Sequence, residues 1–255
     1  MERVDNYQQR FGGIARLYGQ PALERLRQAH ICVIGIGGVG SWVVEALARS
    51  GVGKMTLIDM DDICVTNINR QLPALTGNIG KLKTEVMKDR VQHINPEAEV
   101  YIIDDFLSVE NLADYLNQGY DYVIDAIDNV KTKAALIAYC KRNKIKVMTI
   151  GGAGGQTDPS QIQIADLSKT VQDPLLAKVR SLLRKNYHFS QNPKRKFGID
   201  CVFSTQPLIF PQTEGDCAVS ATMNCANGFG AATMITATFG FFAVARVIDK
   251  LTAKP

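Results

Sequence analysis

The sequence lacks any Cys-x-x-Cys pair: its six cysteines, at positions 32, 64, 140, 201, 217 and 225, are scattered. Isolated cysteines in apolar surroundings, as at Cys32 and Cys140, exclude a small disulfide scaffold and fit a reducing compartment. No internal repeat or low-complexity tract interrupts the 255 residues, which suffice for one large α/β domain or two small ones. The amino-terminal MERVDNYQQRFGG has no apolar signal-peptide core, so a cytoplasmic location is expected. Charge is absent between Asp216 and Arg246, and residues 229–245 are apolar with interspersed Gly, Ala and Thr. That run is shorter than the roughly 20 apolar residues a spanning helix needs, and Thr233, Thr236 and Thr238 weaken it further. A buried helix on the sheet or across a dimer interface is expected there, with membrane association the alternative. The formal charge of +4 is small; it permits an anionic partner without requiring one.

What is present is concentrated between Ile31 and Gln71. Ile31 to Ile34 is an apolar run too short for a helix and reads as a buried parallel strand. Gly35, Gly37, Gly38 and Gly40 follow, and Ser41 to Ser50 then has helical spacing, with Val43, Val44, Leu47 and Ala48 on one face. A strand, a glycine turn and a helix N-terminus make a phosphate site, because missing Cβ atoms admit phosphate to first-turn N–H groups. The alternative is a glycine turn that serves packing alone. A second strand, Met55 to Ile58, ends at Asp59, 24 residues beyond Gly35, close to the spacing of about 20 expected for a carboxylate on ribose hydroxyls.

A dehydrogenase needs little beyond that acid. Here Asp61, Asp62, Thr66, Asn67, Asn69, Arg70 and Gln71 follow, then Lys81 and Lys83 near the start of the next helix. Guanidinium and ammonium groups at such an edge suit a polyphosphate, whose charge they neutralise as it leaves. A solvated polar loop is the bland alternative.

Strand and helix patterns alternate from 31 to 150: a helix from about Lys81 to Asn95, strands at 100–103, 122–124 and 146–150, and a helix over 131–143. The expected fold is therefore α/β, a Rossmann-like doubly wound, mostly parallel sheet with a carboxyl-terminal extension. Residues 1–30 read as a helical lead-in, 31–155 as the nucleotide-binding core and 156–255 as an extension of the same domain facing the substrate. Asp125 and Asp128 stand at the carboxyl end of the 122–124 strand, the edge that faces the crevice of such a sheet. Either can instead cap a helix. Gln161 to Leu167 alternates like an antiparallel or edge strand, and Pro174 opens a helix to about Lys185. Between Asp173 and Lys196 lie Lys178, Arg180, Arg184, Lys185, Lys194, Arg195 and Lys196, with Tyr187, His188 and Phe189 among them. Cations that track phosphates, interleaved with rings that can stack on a base, point to RNA; a solvated charge run is the alternative.

The motifs GxGGxGS (from Gly35), DxDxxxxTNxNRQ (Asp59 to Gln71), GKxKxE (from Gly80) and DAIDN (Asp125 to Asn129) resemble the nucleotide site of the ubiquitin-activating-enzyme-like adenylating proteins. That family includes the molybdopterin and thiamine biosynthesis adenylyltransferases. A narrower resemblance spans nearly the whole chain, through RFGGIARLYG, IDMDDICVTNINRQ, GGAGGQTDPSQIQIADL, DCVFSTQ and GFGAATMITATFGF. It is to the branch of the family that dehydrates N6-threonylcarbamoyladenosine in tRNA. The resemblance implies ATP and Mg²⁺, adenylation of a carboxylate, release of pyrophosphate, and ring closure with loss of AMP. It implies that Gly35, Gly37, Gly38 and Gly40 hold phosphates and Asp59 ribose, with Asp61, Asn67 and Asn69 also at the nucleotide. Arg70 and Lys83 would stabilise phosphate charge, Asp128 would be catalytic and hold Mg²⁺, and Asp125 would be a supporting or adenine-side residue. Relatives carry a phosphate-binding arginine in the lead-in where this chain has Gly13, which leaves Arg16 or Arg10. They also carry a zinc on two Cys-x-x-Cys pairs, so no zinc is expected here.

Cys225, ahead of Cys201, is the candidate nucleophile. Neither has an adjacent His or Lys to lower its pKa, and an internal ring closure needs no external nucleophile. The partners implied are tRNA, through a modified adenosine of its anticodon loop, a second copy in a homodimer, and a sulfur-transfer protein. Three other readings stay open: an adenylyltransferase acting on the carboxyl terminus of a small sulfur carrier, an NAD-dependent redox protein, and a non-catalytic tRNA-binding module.

Overall fold

A computed structural model of the chain describes residues 6–210 and 229–253. Seven strands form one sheet: β1 (His30–Ile34), β2 (Lys54–Ile58), β3 (Glu99–Ile103), β4 (Tyr122–Asp125), β5 (Val147–Ile150), β6 (Ile162–Asp166) and β7 (Asp200–Ser204). Their spatial order is β3-β2-β1-β4-β5-β7-β6. All neighbours are parallel except β6 and β7, which pair antiparallel with Ile164 opposite Val202. The expected doubly wound sheet is present, and β6 is the antiparallel edge strand that its alternating sequence indicated. β7 was not anticipated. The segment 156–210 thus continues the sheet of the preceding core.

The helices are α1 (Asn6–Tyr18), α2 (Gln20–Gln28), α3 (Gly40–Arg49), α4 (Lys83–Ile94), α5 (Leu112–Leu116), α6 (Val130–Arg142), α7 (Pro174–Asn186) and α8 (Thr233–Thr252). Only Gly19 separates α1 from α2, because Pro21 falls in the first turn of α2, where its missing N–H costs nothing. The caps of α6 and α7 explain where those helices begin. Asn129 accepts from the Lys131 and Thr132 amides, and Asp173 accepts from the Leu176 amide.

The sheet separates two cores. On one face α3, α4 and α8 bury Val43, Leu47, Met87, Ile235, Phe239 and Val247 against β1 and β2. On the other, α5, α6 and α7 bury Leu116, Leu136, Cys140, Leu176 and Leu183 against β4 and β7. Each such side chain contributes about 1.5–3 kcal/mol through burial. The apolar run at 229–245 becomes α8, which extends to Thr252 and packs on α3 rather than ending at Ala245. No helix among the described residues is long and apolar enough to cross a membrane.

Candidate active site

Strand order reverses between β1 and β4: β1 connects outward through β2 and β3, and the chain then returns to place β4 on its other side. The carboxyl ends of these two strands therefore diverge into a crevice, the place where such sheets bind ligands. Gly35 leaves β1 there with φ +87°, and a Cβ on it would lie 2.9 Å from the Ala126 carbonyl oxygen. A Cβ on Gly40 would lie 1.7 Å from the Gly35 carbonyl oxygen, so the first turn of α3 rests directly on the loop. Both positions need glycine, and the result is a compact turn that aims the α3 N-terminus into the crevice. Gly37 and Gly38 lie on its rim, and Ser41 closes it, its hydroxyl donating to the Gly37 carbonyl at 2.7 Å.

Asp59 ends β2 beside this turn. Its carboxylate accepts from the Ile36 amide at 2.6 Å and from the Asp61 amide at 2.9 Å. Burial raises its pKa above the ordinary value; the Lys83 ammonium and these two amides pull the other way. Lys83 enters from the first turn of α4 with 5 % of its side chain exposed, 2.7 Å from Asp61 Oδ2 and 3.9 Å from Asp59 Oδ1. Lys81 points elsewhere and donates to Asn78.

The 66–71 loop folds over the glycine turn. Arg70 crosses Gly38, where a Cβ would lie 3.4 Å from Arg70 Cγ, and its guanidinium donates to Thr66 and Asn69 oxygens at 2.8 and 3.0 Å. Trp42 Nε1 donates to the Arg70 carbonyl at 3.0 Å. Asn69 donates to the Ala231 carbonyl at 2.8 Å, and the Thr233 hydroxyl returns a bond to the Asn69 carbonyl at 2.6 Å. Asn67 works within its own loop, accepting from the Cys64 amide.

The two acids at the end of β4 are placed very differently. Asp125 is fully enclosed, accepting from the Thr149 hydroxyl at 2.7 Å and the Ile127 amide at 3.1 Å, and pairing with the Lys133 ammonium at 3.0 Å. It lies beneath the crevice and holds the loop rather than facing a ligand. Asp128 is exposed and, among the described residues, has no ion pair or side-chain hydrogen bond. The capping that sequence allowed it is done by Asn129 instead. Lys133 was missed by sequence reasoning. It too is fully buried, and its ammonium also donates to the Ile127 carbonyl at 2.8 Å. The available signal was a lysine directly followed by the apolar run AALIA, four residues after the capping asparagine.

Arg10 donates to the Ile94 carbonyl at the end of α4, on the sheet edge opposite the crevice. Arg16 is exposed and folds back along α1, within 3.8 Å of Cβ positions built on Gly12 and Gly13. Cys201 is fully enclosed in β7 and burial holds its thiol well above the ordinary value, so it supplies no thiolate. Cys225 lies outside the described residues. Of the basic stretch, Lys178, Lys185, Lys194, Arg195 and Lys196 are exposed, whereas Arg180 turns inward to Thr170 and Arg184 stacks 5.3 Å over Phe197. Asp59, Asp61, Arg70, Lys83 and Asp128 thus gather at one sheet edge, while the basic stretch follows a flank.

Residues 11–254 match the ThiF family. The chain is 82 % identical over 254 residues to the tRNA threonylcarbamoyladenosine dehydratase of Haemophilus influenzae, covering all of this chain and 97 % of that protein. It is 59 % identical to the tRNA threonylcarbamoyladenosine dehydratase of Escherichia coli, over 98 % of this chain and 96 % of that one. The crystal structure of E. coli tRNA N6-threonylcarbamoyladenosine dehydratase in complex with ATP superposes with a TM-score of 0.89 at 56 % identity, covering 98 % and 97 % of the two chains.

Proposed function

Because this chain belongs to the ThiF family, we propose that it is an ATP-dependent enzyme that dehydrates threonylcarbamoyladenosine in tRNA, through an acyl-adenylate formed in the β1/β4 crevice. The observation that carries the proposal is the company kept by the glycine turn. Two cations, Arg70 and Lys83, and one uncommitted carboxylate, Asp128, meet it at a single sheet edge, an arrangement that serves a triphosphate and that a redox cofactor does not call for.

In this reading the turn and the α3 N-terminus hold phosphates, and Asp59 accepts from ribose. The substrate carboxylate attacks the α-phosphorus, and the bond to the bridging oxygen breaks to release pyrophosphate. Arg70 and Lys83 offset the charge that develops on the phosphate oxygens. A nucleophilic atom of the same threonylcarbamoyl group then attacks the activated carbonyl and expels AMP, closing the ring with net loss of water. An exposed carboxylate beside the glycine turn fits Mg²⁺, which takes one or two carboxylates and fills its remaining positions with phosphate oxygens and water. Asp128 would hold it, and the ion when bound would neutralise charge on the departing pyrophosphate. Arg16, exposed on α1, is the lead-in cation free to reach a nucleotide, either its own or that of a second copy.

Residues 156–255 serve in this reading as the tRNA-facing extension of the core. The exposed Met234, Phe241 and Phe242 on one side of α8 favour a homodimer, and buried reduced thiols favour the cytoplasm. The test is to incubate the purified protein with ATP, Mg²⁺ and threonylcarbamoyladenosine-bearing tRNA, then analyse digested nucleosides by mass. An ATP-dependent loss of one water, with one AMP formed per product, is expected; an unchanged nucleoside mass overturns the reading.

A further inference from the structure

A cavity of about 1080 Å³ opens at the sheet edge opposite the crevice. Its floor is the amino-terminal ends of β4, β5 and β7, with Tyr122, Val147 and Ile199, and its walls are the last turns of α6 and α8. Lys141, Lys144, Lys146, Lys196 and Lys250 line it, together with Arg246.

The charges do not balance within the protein. Arg246 is paired with Asp200 at 2.7 Å. The Asp166 carboxylate is saturated by backbone: it accepts from the Ser168 and Phe197 amides on one oxygen and from the Gly198 and Ile199 amides on the other. Burial would raise its pKa, but these bonds outweigh it and hold the group ionised and occupied. That leaves Asp249 as the remaining acid against five lysines, none of which has an ion pair or side-chain hydrogen bond among the described residues. Helix dipoles account for Lys141 and Lys250, which lie in the last turns of α6 and α8. They do not account for Lys146, at the foot of β5, or Lys196, before β7. Like charges that face one open cleft repel unless an anion fills it.

The cleft is also joined to the basic stretch. α7 begins at the crevice edge, where Asp173 accepts from the Gly152 amide at 2.9 Å just beyond β5, and its 13 residues run about 20 Å back toward the opposite edge. Exposed Lys178 and Lys185 mark that course, Lys194 and Arg195 continue it, and Lys196 is both the end of the stretch and a wall of the cleft. The cavity presents ammonium groups and no exposed aromatic ring. It is therefore built to hold phosphates without reading bases.

We propose that this cleft is a second RNA-binding site, which grips the phosphodiester backbone of the substrate's stem while the unpaired loop enters the crevice. The proposal rests on the tRNA-dehydrating function above. The test compares the native chain with a Lys144→Glu/Lys146→Glu/Lys250→Glu variant, all three positions being exposed and none part of the nucleotide site. Affinity for threonylcarbamoyladenosine-bearing tRNA is measured by filter binding across a salt series, and kcat and KM by nucleoside mass. The variant is expected to lose about tenfold or more in affinity, its log K against log salt slope falling by about two to three. KM should rise in step while kcat and ATP affinity stay unchanged. The same positions changed to Gln should show a smaller shift of the same sign, which guards against a folding defect. A native chain that dehydrates tRNA beside variants with unaltered affinity and slope overturns the cleft and leaves the function standing. A native chain that neither binds nor dehydrates tRNA overturns both.

Discussion

The Lys83 ammonium sits 2.7 Å from Asp61 and 3.9 Å from Asp59, so the cation proposed to meet phosphate is already paired with two acids. An incoming triphosphate must compete for it. Removing the ammonium forfeits one charge-assisted bond, about 1.5–3 kcal/mol, and leaves Asp59 buried without its cation. Lys83→Ala is expected to weaken ATP about tenfold to a hundredfold in a calorimetric titration.

In the proposed mechanism Arg70 and Asp128 act as charge moves onto the phosphates. Arg70→Ala and Asp128→Ala should each lower kcat for AMP formation by about 10²–10³ while the melting temperature stays close to that of the native chain. Full-speed AMP release by either variant removes it from the catalytic group.

Trp42 is the chain's one tryptophan, and its indole N–H is bonded to the Arg70 carbonyl. Movement of the 66–71 loop onto phosphate should therefore change intrinsic fluorescence. An ATP titration is expected to give a saturable signal; emission that does not change as ATP saturates would show that the loop keeps its place.

Lys133 and Asp125 form an ion pair with neither side chain exposed. Lys133→Met strands a buried carboxylate and should cost about 3–5 kcal/mol in urea unfolding. Adding Asp125→Asn removes the stranded charge, and the double variant should regain part of that loss. A single-variant cost below about 1 kcal/mol would show that the pair does not hold the β4–α6 loop.

Glu45 ties α3 to α4 through Arg90, at 2.6 and 2.9 Å, and to Arg49 at 2.7 Å. Burial pushes its carboxyl up, but the hydrogen bonds from the two arginines outweigh that and leave it below the ordinary glutamate value. A depressed carboxyl stabilises the fold above its unfolded pKa of about 4.3, and that contribution drains away as pH falls through the lower folded value. Glu45→Gln should flatten the acid limb of a melting-temperature profile below about pH 4 and lie under the native curve at pH 7.

Much of this was legible in the chain. Parallel strands covered on both faces announce themselves as unbroken apolar runs, which is why β1, β2, β4 and β5 could be read to within a residue or two. β7 could not: Asp-Cys-Val-Phe-Ser begins with an acid that pairs with Arg246, a contact 46 residues away. The length of α8 was hidden for a related reason, since Arg246, Asp249 and Lys250 carry its last turns into solvent after the apolar run ends. At the site, spacing placed Asp59, Arg70 and Lys83 at the crevice edge. It could not separate Asp125 from Asp128, three residues apart with identical chemistry, because their difference is made by Lys133 and Thr149 from neighbouring elements.

The two bonds between Asn69 and the 231–233 segment join the first third of the polypeptide to its last tenth. During synthesis the amino-terminal strands can pair long before that segment exists. The loop bearing Arg70 gains these two bonds only once the segment leading into α8 has been made and α8 has docked on α3. A chain cut before residue 231 would keep Asp59, Arg70, Lys83 and Asp128 and lose both of these bonds, leaving the loop its ties to Trp42 and within residues 64–71.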